Sequence, residues 1–336
     1  MTIKSFRDSI NEAIRLEMRK DENVILMGED VAGGAGTKGE QDAWGGPLGV
    51  TKGLLAEFGR KRIIDTPITE TAMLGMASGA ALTGLRPIAE LMFIDFMGVC
   101  FDQILNQTAK FRYMFGGKAV TPITIRSMYG GGLRAASQHS QCLYPIFTHV
   151  PGLKVVIPSC PYDAKGLLIQ SIRDNDPVIF LEHKNMYDIT QDVPDESYTV
   201  PFGEANFTRE GKDITFIGMG ATVSLCNNVS DKLKKDNISS TVLDLRTLSP
   251  LDEDSILEAS EETGRIVIVD ESSPRCNIAT DISALICEKS FSNLKGPIKM
   301  VSPPHTPVPF SAALEDLYLP SEDNIMKAAK ELLNKK

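Results

Sequence analysis

Residues 62–79, RIIDTPITETAMLGMASG, decide the fold. The run Arg62-Ile63-Ile64 predicts a short strand, Pro67 fits the turn that follows it, and Thr69 is a suitable helix N-cap. Glu70 then falls in the first turn of a helix that is rich in small residues. The carboxyl ends of parallel strands line the clefts of open α/β sheets, so this segment places Glu70 at a potential binding site.

On both sides of this segment the chain alternates between strand-like and helix-like apolar periods, and a polar stretch at 184–212 interrupts the alternation. We therefore predict an α/β protein with two doubly wound domains, in which helices cover both faces of a mainly parallel sheet. The predicted boundaries are 1–190 for the first domain, 191–205 for a linker and 206–336 for the second domain. The predicted strands are 24–27, 62–64, 87–94, 122–127, 153–158, 214–220, 239–245, 265–270 and 298–302, and the predicted helices are 5–20, 69–85, 97–113, 161–173, 221–235, 252–263 and 277–290.

The composition excludes several classes of protein. The 336 residues include 35 basic and 44 acidic side chains, a net charge of −9, which argues against binding to nucleic acid or to an anionic membrane. No apolar run reaches the roughly 18–20 residues of a membrane span, and the first residues lack an apolar secretory core. The six cysteines are scattered without a C-x-x-C pair, which argues against a disulfide framework and against structural zinc. We expect a reduced, soluble protein of the cytoplasm.

Residues 31–53 contain eight glycines and the only tryptophan, Trp44. Such a segment does not form the interior of a helix or strand, where each glycine costs about 0.5–1 kcal/mol. A long irregular segment in a compact domain is often functional. We interpret it either as a loop that folds over a ligand or as a mobile surface loop.

Two acid–base candidates have a structural alternative. Glu70 could simply complement the dipole of its helix. His139 follows the glycine turn 130–132 on a polar loop, which favours acid–base chemistry, although it could equally order that loop by a hydrogen bond. The other three histidines receive no catalytic role.

A further pattern imitates a dinucleotide-binding fingerprint. Strand 214–217 leads into Gly218-Met219-Gly220-Ala221-Thr222-Val223, and Asp244 ends the next predicted strand. Valine replaces the third glycine of that fingerprint, so an NAD-dependent oxidoreductase is a weak alternative.

Glu70, four further residues, and then Gly75-Met76-Ala77-Ser78-Gly79 resemble the glutamate motif of thiamine-diphosphate enzymes. Residues 65–70, 90–117, 135–141 and 151–168 extend the likeness over nearly the whole chain. They resemble the beta subunit of the decarboxylase component of 2-oxo-acid dehydrogenase complexes. Within that family, residues 28–54 most resemble the acetoin dehydrogenase branch.

The resemblance implies roles for four residues. Glu70 would be the acid that activates thiamine diphosphate, through a hydrogen bond to its aminopyrimidine ring, in a pocket where apolar neighbours such as Ile68 raise its pKa. Phe96 would pack on that ring. His139 would assist transfer of the acyl group to lipoamide. The implied fold is a pyrimidine-binding domain followed by a transketolase C-terminal-like domain.

The resemblance also implies a potassium site. Hard cations take oxygen ligands, including carbonyl groups at the C-terminus of a helix. The matching positions are Ile123, Ser171, Ile172, Asp174 and Asp176. Many relatives have asparagine in place of Asp176, and a polar helix stop before Pro177 is the alternative.

Finally, the chain contains no Gly-Asp-Gly motif, which in thiamine-diphosphate enzymes holds magnesium and the diphosphate. The resemblance therefore implies an alpha subunit that supplies this half of the site in a heterotetramer of two alpha and two beta subunits. The second domain would dock on the dihydrolipoyl acyltransferase core. The implied activity is cleavage of acetoin to acetaldehyde with transfer of the acetyl unit to lipoamide; the alternatives are a pyruvate or branched-chain 2-oxo-acid dehydrogenase subunit and a non-catalytic scaffold.

Overall fold

The computed structural model describes residues 2–32 and 45–334. Most of the predicted glycine-rich loop, including Trp44, lies outside these residues.

The described residues form fourteen strands and twelve helices. The strands are β1 (Thr2–Ser5), β2 (Val24–Gly28), β3 (Ile63–Asp65), β4 (Arg86–Phe93), β5 (Thr124–Tyr129), β6 (Lys154–Val156), β7 (Val178–His183), β8 (Thr190–Val193), β9 (Asn206–Arg209), β10 (Ile214–Gly218), β11 (Ser240–Asp244), β12 (Thr247–Ser249), β13 (Ile266–Val269) and β14 (Lys299–Val301). The helices are α1 (Phe6–Lys20), α2 (Leu54–Phe58), α3 (Glu70–Leu82), α4 (Met97–Asp102), α5 (Phe111–Met114), α6 (Tyr144–Thr148), α7 (Pro161–Arg173), α8 (Thr222–Lys234), α9 (Glu253–Thr263), α10 (Ile278–Lys289), α11 (Ala312–Tyr318) and α12 (Glu322–Leu333).

The first sheet has the strand order β12-β6-β7-β5-β4-β2-β3 and is parallel except for β12. Helices α1, α2 and α7 pack on one face of it, and α3, α4 and α6 pack on the other. Its strands are buried and rich in β-branched residues, as expected for a sheet that is covered on both sides.

The second sheet has the order β14-β13-β10-β11-β9, with β9 as an antiparallel edge strand. Helices α8 and α12 cover one face, while α9 and α10 cover the other. The predicted α/β class is confirmed.

The predicted helix 97–113 is wrong as a continuous helix. A 3₁₀ turn over Ile94–Phe96 precedes α4, and a π-helical turn over Gln103–Thr108 separates α4 from α5. The π turn ends where Thr108 hydrogen-bonds to Ser78 of α3. Turns of this kind are frequent at functional sites.

The predicted division at 191–205 stays a prediction. Strand β12 comes from the predicted second domain, yet it pairs with β6 at the edge of the first sheet. One apolar cluster also runs from α3 and β4 through to α9 and α10. The two halves therefore share both a sheet edge and a core.

Candidate functional site

The carboxyl ends of β2, β3, β4, β5 and β7 meet at one edge of the first sheet. Gly28 at the end of β2 pairs with Asp65 at the end of β3, and Tyr129 at the end of β5 pairs with His183 at the end of β7. The segments that leave these strands, including those that carry Glu70, Phe96 and His139, therefore converge there, as clefts in parallel sheets do.

Glu70 is the first residue of α3, and the turn before it is tied to β2 by the hydrogen bond from Thr66 N to Gly28 O, 2.9 Å. Thr69 occupies the N-cap position as predicted, but its side chain makes no capping bond. Glu70 is only half-buried, and its carboxylate forms neither an ion pair nor a hydrogen bond with any other described residue. Its oxygens are therefore free to bind a polar group from outside the chain.

The charge of Glu70 acts on two titratable neighbours, Glu29 and Cys100, and so indicates where Glu70 lies. Burial, with the charges of Asp30 and Glu70, raises the pKa of Glu29 above its ordinary value. Burial, with the charge of Glu70, raises the pKa of Cys100 to about 12. Glu70 thus lies between the end of β2 and helix α4, where Thr71 also donates a hydrogen bond to Val99 O, 2.6 Å.

The apolar surface beside Glu70 is exposed in this chain. The side chain of Ile68 is 74% exposed, and those of Val99 and Met76 are 61% and 49% exposed. The described residues alone therefore do not provide the predicted burial of Glu70 among apolar neighbours.

Phe96 and His139 are in contact. Their ring centroids lie 5.4 Å apart in an edge-on arrangement, and Phe93 completes the group at 5.0 Å from His139 and 5.7 Å from Phe96. Cys100, which senses the charge of Glu70, also lies against Phe96, with its sulfur 3.7 Å from Phe96 O. The structure thus brings Phe96, the predicted cofactor contact, together with His139, the predicted acyl-transfer residue. Phe96 lies next to Cys100, on which the charge of Glu70 acts.

Two residues that the sequence analysis missed hold the His139 segment. Lys184, directly after β7, donates hydrogen bonds to His139 O and to Ser140 Oγ, and burial lowers its pKa. Asp95, directly before Phe96, accepts hydrogen bonds from Gln141 N and Nε2 at 3.2 and 2.8 Å. Their positions just after parallel strands are the signal that could have identified them.

The second oxygen of Asp95, Oδ2, is buried without a hydrogen-bond partner. Such an atom is costly unless a ligand or water satisfies it. Asp95 Oδ2 and the Glu70 carboxylate supply hydrogen-bond acceptors, and Phe96 supplies an apolar ring face. A flat heterocycle with N–H donors, such as an aminopyrimidine, would suit these groups.

The five predicted potassium positions meet at the start of β5 and the end of α7. The carbonyl groups of Ile172 and Asp174 each accept a hydrogen bond from Arg86 Nη1, at 3.1 and 2.9 Å. Ile123 O accepts from Val178 N at 3.0 Å, and the Ser171 hydroxyl donates to Leu167 O.

The two carboxylates of this set already have cationic partners. Asp174 pairs with Lys154 at 2.6 Å, and Asp176 pairs with Arg112. A carbonyl oxygen has two lone pairs, so the carbonyl groups retain capacity for a cation while the carboxylates are neutralised.

The dinucleotide-like turn is filled by protein. A Cβ at Gly220 would overlap the hydroxyl of Tyr129, so this side chain occupies the space that a pyrophosphate would need next to the backbone.

No group of three or more histidine, cysteine or acidic residues in the described ranges could hold a metal ion. Nor does any helix in the described part of the chain have the length and apolarity to cross a membrane.

Comparison with known proteins agrees with this architecture. Residues 4–190 match the family of the transketolase pyrimidine binding domain, and residues 203–325 match that of the transketolase C-terminal domain. A split-gene transketolase, an inactive β4 tetramer, superposes with a TM-score of 0.78 over 99% of both chains at 18% identity. At that identity the superposition shows the fold alone.

Curated relatives share most of the sequence. The acetoin:2,6-dichlorophenolindophenol oxidoreductase beta subunits of Cupriavidus necator and Bacillus subtilis are 62% and 58% identical, over 98% of this chain and 97% of theirs. The pyruvate dehydrogenase E1 component beta subunit of Bacillus subtilis is 42% identical over 97% of both chains. The chain therefore belongs to the beta subunits of the thiamine-diphosphate-dependent components of 2-oxo-acid-dehydrogenase-type complexes, in the branch that contains the acetoin:2,6-dichlorophenolindophenol oxidoreductases.

Proposed function

We propose that this chain, with an alpha subunit, cleaves acetoin to acetaldehyde and passes the remaining acetyl unit to lipoamide. The observation that carries this proposal is the difference in identity: 62% and 58% to acetoin oxidoreductase beta subunits, against 42% and 41% to pyruvate and 2-oxoisovalerate dehydrogenase beta subunits of Bacillus subtilis. All six cysteines are free, which supports a cytoplasmic location.

Glu70 is the proposed activating acid. When bound, thiamine diphosphate supplies the electron sink for breaking the carbon–carbon bond. The Glu70 carboxyl group shares a proton with a ring nitrogen of the aminopyrimidine, while Phe96 packs on the ring and Ile68 helps to exclude water. The unpaired carboxylate and the exposed side chain of Ile68 support these roles.

His139 is the proposed proton donor for acyl transfer. The two-carbon unit is oxidised by two electrons and the lipoyl disulfide is reduced by two; one sulfur forms the thioester and the other takes a proton. The contact of His139 with Phe96 supports this role, because Phe96 is the residue proposed to pack on the cofactor ring. Lys184 and Asp95 orient the segment around it.

Pyruvate or a branched-chain 2-oxo acid is the second candidate substrate, supported by the 42% and 41% identities. A 2-oxo acid carries a carboxylate that a cationic group should bind, whereas acetoin is neutral. The buried cation beside His139 is Lys184, and it already donates to His139 O and Ser140 Oγ. This arrangement favours the neutral substrate.

An alpha subunit in a two-alpha, two-beta heterotetramer would hold magnesium and the diphosphate. The outer face of α3 supports this proposal, because Ala72, Gly75, Met76 and Gly79 are all exposed on it. A Cβ at Gly79 would meet no atom of the described residues within 4 Å, and a Cβ at Gly75 would meet only Gln103, at 3.6 Å, so neither glycine is required by close packing among the described residues. The second domain would dock on the acyltransferase core.

Potassium would bind carbonyl groups of the set at Ile123, Ser171, Ile172, Asp174 and Asp176, because the carboxylates of Asp174 and Asp176 already pair with Lys154 and Arg112. The oxygen-rich end of α7 supports this. If potassium binds there, the thermal midpoint of the heterotetramer should be higher in KCl than in NaCl of equal ionic strength. Equal midpoints in the two salts would count against the site.

The substrate is tested on the heterotetramer reconstituted with its alpha subunit, thiamine diphosphate and magnesium. Steady-state rates are measured on acetoin, pyruvate and 2-oxoisovalerate, with the dye 2,6-dichlorophenolindophenol or a lipoyl domain as the acceptor. We expect kcat/KM for acetoin to exceed that for each 2-oxo acid at least about tenfold. A clear preference for pyruvate would replace acetoin as the substrate, and inactivity on all three would leave the scaffold alternative.

A further inference from the structure

The loop that leads to His139 has an unusual backbone. Gly130 and Gly132 have φ angles of +94° and +98°, and Arg134 and Ala136 have φ angles of +56° and +59°. Residues other than glycine rarely adopt this left-handed backbone conformation, and it persists only where the surrounding structure stabilises it.

Glu271, immediately after Asp270 at the end of β13, holds the start of this loop. Its Oε1 accepts a hydrogen bond from Gly131 N at 2.8 Å, and its Oε2 lies 3.0 Å from His183 Nε2. His183 in turn fills the space beside Gly130, where a Cβ would overlap its ring. The side chain is buried, and each of its two oxygens has a partner.

Glu315 on α11 holds the next turn. Its side chain is fully buried, and it accepts hydrogen bonds from Gly132 N at 2.7 Å, from Arg134 Nη1 at 2.7 Å and from Arg134 N at 3.3 Å. Leu319, which follows α11, packs against Gly131 so closely that a Cβ there would require it to move.

Both carboxylates come from the second half of the chain, whereas the other end of the loop is fixed by Lys184 and Asp95 of the first half. We propose that Glu271 and Glu315 are positioning residues for acyl transfer, which hold loop 130–136 so that His139 stays against Phe96. The proposal rests on the function proposed above. It assigns to the second domain a part in the chemistry in addition to docking.

The positioning role makes a specific kinetic prediction. In the lipoyl reaction, the leaving sulfur of the disulfide needs a proton. In the dye reaction, the dye accepts two electrons and water converts the two-carbon unit to acetate, so no sulfur has to be protonated. A displaced His139 should therefore slow the lipoyl reaction and spare the dye reaction. A residue that only stabilises the fold would change both rates equally.

The test uses the heterotetramer that carries Glu315→Gln. The substitution leaves one acceptor oxygen and replaces the other with an amide N–H₂ group, which faces N–H donors and cannot accept their hydrogen bonds. The matched control is Glu253→Gln, which removes a carboxylate that pairs with Lys289 on the surface. We expect kcat with the lipoyl domain to fall about tenfold, since small displacements of a catalytic group have effects of this order. The dye-linked rate should stay within about twofold, and amide hydrogen exchange of Gly131–Arg134 should accelerate. The control should change none of these.

Equal losses with both acceptors, or no loss with either, would overturn the proposal. If Glu315→Gln does not assemble, Arg134→Met carries the same test, because its side chain is 37% exposed and its loss leaves the backbone contacts of Glu315 in place. A fall of about threefold with the lipoyl domain alone is expected there, and an unchanged rate would overturn the proposal. Amide hydrogen exchange does not depend on the substrate. A wild-type enzyme that is inactive on acetoin would therefore refute the proposed function, while the exchange measurement would still test whether Glu315 stabilises the loop.

Discussion

Two physical effects act in opposite directions on the carboxyl group of Glu70. One favours the ionised form and the other favours the protonated form. At the first position of α3 the helix dipole stabilises a carboxylate, while burial beneath a partner subunit would favour the protonated acid. Among the described residues the side chain is half-buried. The proposed acid–base role therefore needs further burial, which the proposed alpha subunit would provide.

Glu70→Gln should separate the catalytic role from the dipole role. The amide keeps the shape of the side chain but cannot share a proton with a ring nitrogen, so turnover of acetoin should fall by about 10²-fold or more. The matched control is Glu322→Gln, which changes the first residue of another helix, α12. Steady-state rates and gel filtration of the heterotetramer measure both variants. Near-normal turnover of an assembled Glu70→Gln enzyme would contradict the role.

Asp244 predicts a pH dependence of stability. Burial, with the charge of Asp163, raises the pKa of Asp244 to about 7, although Ser159 and Arg246 N donate hydrogen bonds to it. The unfolded value is about 3.9, so the folded state binds this proton more tightly and stability is lost as the pH rises from about 4 toward 7.

Asp244→Asn removes this titration. The thermal midpoint of the variant relative to the wild type should therefore increase between pH 4 and pH 8, as followed by circular dichroism. A difference that does not change with pH would show that Asp244 titrates normally.

At the scale of single residues, motifs in the sequence were enough to propose Glu70, Phe96 and His139 but not the groups that hold the His139 segment. Lys184 and Asp95 look like ordinary polar residues in the sequence, and their contacts arise only because parallel strands bring their ends together. The burial expected for Glu70 depends on residues distant in sequence and, in the proposed assembly, on a second chain, so local sequence could not predict it.

At the scale of elements, apolar periodicity located six helices closely; for example, the predicted 161–173 and 252–263 are observed as Pro161–Arg173 and Glu253–Thr263. It did not predict helix α12 or the π turn that interrupts 97–113. Periodicity reports which face of a segment is buried, and the six residues of the π turn are too few to establish a period of their own.

The exposed face of α3 gives a prediction about assembly. Gly79→Leu adds a side chain where this chain has open space, so the beta chain alone should keep or slightly gain stability, by up to about 1 kcal/mol from helix propensity. Binding to the alpha subunit should weaken at least about tenfold if the face packs closely on it.

The matched control is Glu261→Leu, an exposed position on helix α9 of the other half. Titration of labelled beta chain with alpha subunit compares the two variants. Unchanged affinity for Gly79→Leu would remove α3 from the interface.

At the scale of the whole molecule, the two halves are joined by more than a linker. Strand β12 closes the edge of the first sheet, and Arg246 beside it forms a two-point ion pair with Asp163 of α7, at 2.8 and 2.9 Å. Composition and periodicity predicted two α/β domains but gave no sign of this exchange, because a three-residue strand lies below what periodicity detects.

Breaking this ion pair should destabilise the whole chain. The Asp163 carboxylate is 1% exposed and the Arg246 side chain 15%, so Asp163→Asn removes the two-point ionic partner of a largely buried guanidinium. The free energy of unfolding in urea should fall by about 3 kcal/mol, the range measured when one member of a buried pair is removed. The matched control is Asp231→Asn, which breaks the exposed Arg209–Asp231 pair at 3.6 Å and should cost less than about 1 kcal/mol. Because the pair spans the two halves, the Asp163→Asn transition should also broaden or split when monitored by fluorescence and circular dichroism together. Similar small losses in both variants would mean that the shared apolar core, and not this pair, couples the two halves.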